Sequence, residues 1–342
     1  MIAQPLRFRP LIKQTLWGGR RLGETLGKPI GDGDDYAESW EVVDHGEDQS
    51  VVLEGPLTGQ SLHSLFQNHR DWLMGHRWTT AFPDADTFPL LFKFLDCNRV
   101  LSVQVHPDDA YGAAMTPPDL GKTEAWVVLH SEPDSVIYAG LKEGVTRDQL
   151  ARWIEAGQTE QALHRFRPEA GDCVFIPAGT VHALGGGLLI AEIQQSSNTT
   201  FRLFDWNRTD AAGRSRPLHI QQSLAVTDYT RGPVPPIRRP DGDPEPLVQC
   251  DKFTLRRLQS PAGGRPESGS DSHQLAGDDR CHLLACITGD ATLDGPGVGG
   301  QPFRLSKGQT VLLPAAMQEV FLNVPPAASV LWMTPAEPTV VA

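Results

Sequence analysis

Leu101-Ser-Val-Gln-Val-His-Pro-Asp108 is the stretch of this chain that indicates its fold most directly. Gln104 and His106 stand two positions apart among apolar residues, so both side chains lie on one face if the run forms a β-strand. A second stretch, Gly171-Asp-Cys-Val-Phe-Ile-Pro-Ala-Gly-Thr-Val-His182, places a short apolar strand before a Pro-x-Gly turn and a histidine. Together the two stretches predict a β-barrel with a metal ion inside it.

The candidate metal ligands come from three separate segments of the chain. Zinc accepts histidine nitrogen and carboxylate or amide oxygen, and a catalytic zinc site keeps one position for water or substrate. Four residues meet this requirement: Gln104, His106, Glu124 and His182. Glutamine is a weak ligand, so this set leaves the metal more Lewis acidic than an all-histidine site would.

Other polar residues in this region have simpler explanations. A single histidine is more often structural than a ligand, and His130, His164 and His219 lie in no motif. We therefore assign them to surface or packing positions. Asp108 and Asp109 follow a strand and a proline, a pattern typical of a turn or a helix start.

The composition is that of a folded β protein. A chain of 342 residues is long enough for two domains or one large β architecture, since compact domains usually hold about 100–200 residues. Hydrophobic residues make up 39%, and eight Trp and thirteen Phe supply bulky side chains for a core. The 33 Gly and 28 Pro are typical of many short strands joined by tight turns.

The charge balance excludes one broad class of partner. The formal net charge is −12 and no run of basic residues occurs, whereas nucleic-acid-binding proteins need a basic patch that neutralises phosphates. An anionic substrate would require a local cluster of Arg and Lys within the site, because the average field of the chain repels it.

The sequence also predicts the compartment. The N-terminal residues contain no long apolar segment of the kind found in signal peptides, and no uncharged apolar run reaches about 18 residues. We therefore expect a soluble cytoplasmic protein that does not bind membranes. Five scattered cysteines without a CxxC pair indicate reduced, mostly buried thiols: Cys97, Cys173, Cys250, Cys281 and Cys286.

Short strands dominate the predicted elements, with a few helical insertions. Strand is favoured over helix in residues 1–55, and helical spacing of apolar residues predicts helices from Ser61 to about Trp78 and from Thr146 to about Leu163. The other apolar runs predict buried strands: Phe88–Leu95, Val100–Val105, Val174–Ile176, Leu188–Ile193 and Thr199–Phe204.

A Pro- and Gly-rich segment from Thr230 to Pro246 predicts a linker and a domain boundary near residue 240. The expected domains are a catalytic domain at 1–240 and a C-terminal barrel at 241–342. In the second, Gly308 and Pro314 repeat the spacing of Gly171 and Pro177, but Ala316 and Glu319 replace the following glycine and histidine. We therefore predict that the second barrel is degenerate and free of metal.

Several of these motifs resemble those of the type I phosphomannose isomerases, zinc-dependent cupins that interconvert mannose 6-phosphate and fructose 6-phosphate. The resemblance covers about residues 8 to 210 and becomes diffuse in the C-terminal barrel. It implies two cupin-like, jelly-roll β-barrels, and the length resembles the short bacterial form that lacks a large helical domain. The motifs that carry it are Trp17-Gly-Gly19, Glu38-Ser-Trp40, Phe88–Phe94, Leu101–Asp108, Gly121–Glu124, Pro177–Ala183 and Glu192–Trp206.

The resemblance also implies roles for individual residues. It places the same four ligands, Gln104, His106, Glu124 and His182, on the positions that hold one zinc ion per chain. Arg202 corresponds to the catalytic arginine, and Lys122 and Glu192 to residues close to the reacting carbons. Ser102 and Arg208 are implied to bind the substrate.

The chemistry leaves the identity of the base open. An aldose–ketose isomerisation moves a proton between C2 and C1 through a cis-enediol, so it needs a base but no redox cofactor. Lys122 beside a dication would favour the neutral amine, while a solvated lysine at the rim is the structural alternative. Glu192 is the other candidate base, or it orients Lys122 or a zinc-bound water. Arg202, in an aromatic strand, either faces the cavity or forms a core salt bridge with Asp205 or Glu192.

Two rival functions have to be weighed against the isomerase. A metal-dependent cupin dioxygenase would use iron, but such sites usually carry three or more imidazoles and no glutamine ligand. A non-catalytic sugar-phosphate-binding or sensing protein would keep the pocket without needing Lys122, Glu192 and Arg202 together. The sequence does not determine the oligomeric state, the preferred anomer, the pathway or the role of the C-terminal barrel.

Overall fold

Four antiparallel β-sheets, here called sheets I to IV, form most of the computed structural model, which describes residues 3–209, 213–240, 243, 245–259 and 271–336. In spatial order, sheet I contains Leu11–Gly19, Tyr36–Val42, Leu90–Cys97, Leu188–Gln195, Glu124–Ser131 and Cys173–Ile176. Sheet II contains Phe201–Phe204, Val103–Val105, His182–Leu184, Ile137–Leu141 and Leu163–Phe166.

The C-terminal part of the chain forms the other two large sheets. Sheet III contains Val248–Gln249, Phe253–Gln259, Ser329–Pro335, His282–Thr288 and Thr310–Leu313. Sheet IV contains Asp271–Leu275, Val320–Val324, Asp290–Asp294 and Phe303–Ser306. A small two-stranded sheet joins Asp44–His45 to Asp48–Gln49.

Helices are short and lie between the strands. The α-helices are Arg21–Leu26, Leu62–Asn68, Arg70–Met74, His76–Ala81, Asp109–Ala113, Arg147–Glu155 and Ile220–Val226, and the 3₁₀ turns are Thr159–Ala162 and Pro296–Val298. Within the described ranges, no helix has the length and apolar character needed to cross a bilayer. The predicted mainly β fold with a few helical insertions is confirmed.

Both predicted helical regions exist but are interrupted. The region from Ser61 to Trp78 is divided into three helices, and the last break falls at Gly75, where φ is 94°. The second helix ends at Glu155 because Gly157 takes a positive φ of 66°, and Leu163 already begins a strand. Arg21–Leu26 is helical where strand was expected. Glycine tolerates these backbone angles, whereas apolar periodicity alone does not reveal them.

The packing follows the alternation of side chains along the strands. Apolar residues of sheets I and II meet in a shared core that includes Leu95, Trp126 and Ile190 from sheet I and Ile137 and Leu184 from sheet II. A separate core lies between sheets III and IV. The outer face of sheet I packs with residues of sheet III and of the helices between residues 62 and 81 in the largest cluster. The two pairs of sheets are thus joined through a continuous apolar contact.

Other contacts connect the N-terminal and C-terminal parts of the chain. Leu6 pairs with Leu312 through two backbone hydrogen bonds of 2.8 and 2.9 Å. In the predicted linker, Ile237 exchanges two backbone hydrogen bonds with Cys173 at the edge of sheet I. Residues 230–240 therefore contain no helix or strand, as predicted, but they are attached to the sheet. The division into domains 1–240 and 241–342 stays a prediction.

The two stretches that share a Gly-to-Pro spacing also begin with a similar backbone conformation. Gly171 and Gly308 precede equivalent strands with φ of 95° and 79°. After the second strand, the N–H of Ala316 donates to the carbonyl of Trp72 at 3.0 Å, and Glu319 accepts a hydrogen bond from Gln274. The residues that follow Leu313 therefore pack against the helix Arg70–Met74, whereas those that follow Ile176 lead to the candidate ligand His182.

Candidate metal centre

The candidate ligands lie in the space between sheets I and II. Gln104 has apolar neighbours on both sides, Val103 and Val105, which point into the outer core of sheet II, so Gln104 points inward, as does His106. His182 pairs with Gln104 across neighbouring strands of sheet II, and Glu124 begins a strand of sheet I on the opposite side. The prediction that Gln104 and His106 share one face is confirmed.

Three of the four predicted ligands form a compact group. Glu124 lies between the two imidazoles, with Oε1 3.3 Å from His182 Nε2 and Oε2 3.5 Å from His106 Nε2. One potential ligand atom from each residue lies within 4.8 Å of the others, and all three residues are buried. Gln104 lies beside this group, with its side-chain amide nitrogen 3.2 Å from His182 Nε2, and its role as a fourth ligand stays a prediction. The amide oxygen occupies this position after a simple flip of the group.

The protonation of the histidines suits a metal ion. The Nδ1 atoms of His106 and His182 lie 2.9 Å from the carbonyl oxygens of Thr199 and Thr180, so each ring donates there and keeps a lone pair on Nε2. Burial lowers the pKa of His182 to about 4, and it holds the pKa of His106 well below its usual value. Both rings are therefore neutral at physiological pH.

Two buried polar atoms of the group form no hydrogen bond, although Glu124 Oε2 lies 3.3 Å from Lys122 Nζ in an ion pair. Among the described residues, His106 Nε2 and Glu124 Oε2 are buried without any hydrogen bond. Buried polar atoms are almost always satisfied. Two imidazole nitrogens and a carboxylate oxygen are ligands that zinc and other divalent transition metals accept. The residues therefore fit a metal ion.

Beside the ligands, buried charges alternate in sign. Glu38, Lys93, Glu192, Lys122 and Glu124 form a series in which neighbouring N and O atoms are 3.1, 3.4, 4.0 and 3.3 Å apart. Burial raises the pKa of Glu192, an effect that the positive charges of Lys93 and Lys122 offset only in part. For Glu38 burial acts in the same direction and is the largest single effect, but the charges of Lys93 and Lys122 and the hydrogen bonds from Trp40 and Lys93 together outweigh it and lower the pKa. The series thus combines Glu38, which stays ionised, with Glu192, whose carboxyl group is easier to protonate.

A cavity of about 130 Å³ opens onto this series. Of the residues predicted to contact substrate, Ser102, Lys122, Glu192 and Arg202 line it, together with the ligand Gln104. Arg202 faces the cavity and forms no core salt bridge with Glu192 or Asp205 among the contacts of the described residues, so the cavity-facing placement is confirmed. Burial and the nearby charge of Arg216 lower the pKa of Arg202. His219 packs behind Arg202 and accepts a hydrogen bond from its backbone N–H at 3.2 Å.

A larger cavity of about 760 Å³ adjoins the first and shares Thr15, Trp17 and Arg216 with it. Arg208 lines this larger cavity, where its guanidinium donates to the carbonyl of Val100 at 2.7 Å and pairs with Asp205. The predicted substrate residue Arg208 is thus next to the ligand cavity rather than in it. Four arginines line the larger cavity: Arg99, Arg208, Arg214 and Arg216.

Sequence reasoning missed several residues of the site. Lys93 and Glu38 were noted only as parts of motifs, although a lysine within Phe92-Lys-Phe94 signals a cation that needs a buried partner. Glu192 faces Lys93 directly across two strands, and that pairing cannot be read from either strand alone. Asn198, Thr200 and Arg216 also line the cavity but lie in segments without regular periodicity.

The fold and site define a class of protein: a mainly β enzyme with a buried, metal-competent group of two histidines and one glutamate between two sheets. Residues 6–122 match the family model for the catalytic domain of type I phosphomannose isomerase. The chain is 34% identical to mannose-6-phosphate isomerase ManA of Bacillus subtilis, over 94% of this chain and 97% of that protein. This chain therefore belongs to the type I phosphomannose isomerase family, and it is an isomerase. The resemblance predicted from the motifs is confirmed.

Further relatives agree with this assignment. A mannose-6-phosphate isomerase from Streptococcus mutans is 40% identical over 66% of this chain and 68% of its own length. The crystal structure of the Bacillus subtilis mannose 6-phosphate isomerase superposes with a TM-score of 0.82 and 27% identity, covering 96% of this chain and 99% of that one. A putative mannosephosphate isomerase from Archaeoglobus fulgidus, at 20% identity, has the same fold with a TM-score of 0.74 and covers 98% of this chain and 99% of its own.

Proposed function

We propose that this protein is a zinc-dependent isomerase that interconverts mannose 6-phosphate and fructose 6-phosphate through a cis-enediol. The observation that carries the proposal is the contact of the His106, Glu124 and His182 group with Lys122, which lines the cavity together with Glu192. Family membership supports the reaction, since the relatives bear that activity in their names. The donor set supports zinc, with one ion per chain.

The residues of the chain divide the work as follows. His106, Glu124, His182 and Gln104 would hold the metal. When bound there, zinc supplies Lewis-acid stabilisation of negative charge on the sugar oxygens. Arg202, whose planar cation faces the cavity, stabilises the same developing charge by hydrogen bonding.

Proton transfer requires a group that accepts a proton from C2 and returns it to C1. Lys122 and Glu192 are placed for this step, with Nζ and Oε1 4.0 Å apart. The raised pKa of the Glu192 carboxyl brings it closer to neutrality, where a general base is most effective. Either group can take the proton while the other holds the enediol oxygens.

The phosphate of the substrate requires a cationic region outside the small cavity. The adjoining arginine-lined cavity provides it, and Arg216 is the arginine that borders both cavities. We infer that the anionic end of the sugar binds in the larger cavity and that its carbonyl end lies next to Lys122 and Glu192. The arginines of the larger cavity also form the local cationic cluster that an anionic substrate needs, because the net charge of the chain is −12.

A coupled assay tests the proposal. Conversion of mannose 6-phosphate to fructose 6-phosphate is measured with the purified protein, after EDTA treatment, and after readdition of zinc or iron(II). We expect EDTA to abolish turnover and zinc to restore it. Retained activity in EDTA-treated protein that elemental analysis finds free of metal would contradict the zinc requirement. A zinc-loaded protein without turnover would contradict the substrate assignment and favour a sugar-phosphate-binding role.

A metal-dependent dioxygenase is a weaker alternative that the same samples address. Two histidines and one carboxylate also suit iron(II) in oxygenases. Oxygen uptake by the iron-loaded protein, in the absence of any isomerase turnover, would replace the proposed reaction with oxidation.

A further inference from the structure

Asp119 is an acid outside the site whose carboxylate joins three separate segments of the chain. Its Oδ2 accepts hydrogen bonds from the hydroxyls of Ser197 and Thr199 at 2.9 and 2.6 Å, and from the backbone N–H of Asn198 at 3.3 Å. Its Oδ1 lies 3.3 Å from His45 Nε2. The side chain is 15% exposed.

The segment held by Asp119 supports one of the candidate ligands. The carbonyl oxygen of Thr199 accepts the Nδ1–H of His106 at 2.9 Å. This hydrogen bond fixes which nitrogen of His106 is free to bind a metal, and it sets the angle of the ring. Asn198 and Thr200, on either side of Thr199, line the cavity.

Asp119 itself precedes the other half of the site. Lys122 and Glu124 follow it within five residues, and its Oδ1 also accepts the N–H of Leu120 at 2.8 Å. One carboxylate therefore connects the segment that carries Lys122 and Glu124 to the segment that orients His106. Although burial acts against ionisation, the hydrogen bonds from His45, Thr199 and Ser197 outweigh it and hold the pKa of Asp119 well below its usual value.

We infer that Asp119 is a positioning residue for the metal centre, acting on His106 through the carbonyl of Thr199. The inference rests on the proposed metal site. It assigns to Asp119 a function that a purely structural link between loops does not have: Asp119 sets metal affinity and ligand geometry. Groups that orient a metal-binding histidine typically change affinity by about 10- to 100-fold when removed.

The test compares Asp119→Ala with a matched control. Asp278 forms a similar acid–histidine pair, with Oδ1 3.0 Å from His282 Nε2, but it lies near sheet III, away from the cavity. Zinc affinity of each variant is measured by competition with a chromophoric chelator, and the cobalt(II)-loaded proteins are compared by absorption spectroscopy. We expect Asp119→Ala to lose about 10- to 100-fold in zinc affinity and to shift the cobalt bands, while Asp278→Ala retains both.

Milder changes keep the test decisive if Asp119→Ala does not fold. Thr199→Val removes the hydroxyl that donates to Asp119 but keeps the carbonyl that accepts from His106, so a smaller loss of zinc affinity is expected. Asp119→Asn is the milder change at the acid itself, and the double variant Asp119→Asn/Thr199→Val should lose less zinc affinity than the summed losses of Asp119→Asn and Thr199→Val, because each single change weakens the same interaction. Wild-type zinc affinity and cobalt bands in folded Asp119→Ala, or in Thr199→Val, would overturn the inference. A wild-type protein that binds no zinc would instead overturn the proposed function.

Discussion

Lys93 and Glu192 face each other across neighbouring strands of sheet I, with Nζ and Oε1 3.4 Å apart. Burial disfavours the charged lysine, but the carboxylates of Glu192 and Glu38 outweigh it and hold the pKa of Lys93 above its usual value. Lys93 is thus a permanent cation between two acids, so Lys122 and Glu192 stay the two proposed candidates for proton transfer.

Chemical rescue distinguishes which of Lys122 and Glu192 is the base. Each alanine variant should lower kcat by about 10²- to 10⁴-fold, the usual contribution of a general acid or base. We expect added formate to restore part of the turnover of Glu192→Ala if the carboxylate takes the proton, and methylamine to do so for Lys122→Ala if the amine takes it. The measurement is kcat against concentration of the added base. Absence of rescue in both, with zinc bound, would assign both residues to orientation.

Substitutions of the two cavity arginines, Arg202 and Arg216, should change different steady-state kinetic constants. Arg202→Ala is expected to lower kcat by about 10²- to 10³-fold with zinc content near one per chain, since it removes a donor to developing charge. Arg216→Ala should mainly raise KM for the sugar phosphate, because it removes uniform binding of the phosphate. Arg165→Ala, a change at an exposed arginine paired with Glu160, serves as the control. An unchanged kcat in Arg202→Ala would remove its proposed role.

At the scale of elements, the features that could be predicted from the sequence are those that depend on residue alternation and motif spacing. The inward face of Gln104 and His106, the strands around His182 and Glu192, and the helix start at Asp108 follow from local pattern. Asp108 caps the helix Asp109–Ala113, with its side chain accepting from the N–H of Tyr111. The breaks in the helices do not follow from such patterns, since they depend on contacts with distant segments.

Gly75 gives the clearest example of such a break and of a testable consequence. A Cβ at this position would lie 2.1 Å from the carbonyl oxygen of Asp279, and φ is 94°. Gly59 has a similar φ of 85° but nothing within 4 Å of a Cβ. Gly75→Ala should therefore lower the free energy of unfolding by more than Gly59→Ala, which carries only the cost of the positive φ, about 1 kcal/mol. Urea unfolding measures the free energy of unfolding of both variants. Equal losses would show that the chain around Asp279 shifts at no cost to make room for the added Cβ.

Cross-strand and cross-loop partners form the other part that the sequence could not supply. Lys93 meets Glu192 from about 100 residues away in the chain, and Asp119 meets Ser197 and Thr199 at a separation of 78 to 80 residues. Such pairs depend on strand register and on loop closure. Register is fixed by the whole sheet, so these pairings are visible only in the three-dimensional structure, even where one partner, such as Glu192, was predicted from the sequence.

At the scale of the whole molecule, a buried ion pair lies where the two pairs of sheets meet. Lys28 Nζ is 2.6 Å from Glu41 Oε1 and 2.5 Å from the carbonyl oxygen of Gly308 in the C-terminal part of the chain. The two side chains are 6% and 5% exposed. The lysine therefore connects the segment between the strands Leu11–Gly19 and Tyr36–Val42 of sheet I to the turn before the strand Thr310–Leu313 of sheet III.

Removing one member of this pair should destabilise the protein strongly. Lys28→Met leaves the Glu41 carboxylate buried without its cation, a change that typically costs about 3–5 kcal/mol. The double variant Lys28→Met/Glu41→Leu should recover much of that loss, because no unpaired charge remains. Denaturant unfolding of the three proteins provides the comparison. If the double variant is as unstable as Lys28→Met, the contact with Gly308 rather than the ion pair holds this junction.

Each of three hydrophobic cores contains at least one buried cysteine, so the chemical accessibility of its thiol reports on the unfolding of that core. Cys97 lies in the core between sheets I and II, Cys286 in the core between sheets III and IV, and Cys173 and Cys281 in the cluster that joins the two pairs. Burial raises the pKa of Cys173 to about 12 and that of Cys286 to about 11, and it acts in the same direction on Cys97 and Cys281. These sulfurs are therefore protected from alkylation until the chain opens. Pulse alkylation in rising denaturant, read out by mass spectrometry, measures the denaturant concentration at which each thiol becomes accessible. If residue 240 separates two domains, Cys97 and Cys286 should be modified with different midpoints. A single shared midpoint would mean that the chain unfolds as one cooperative unit.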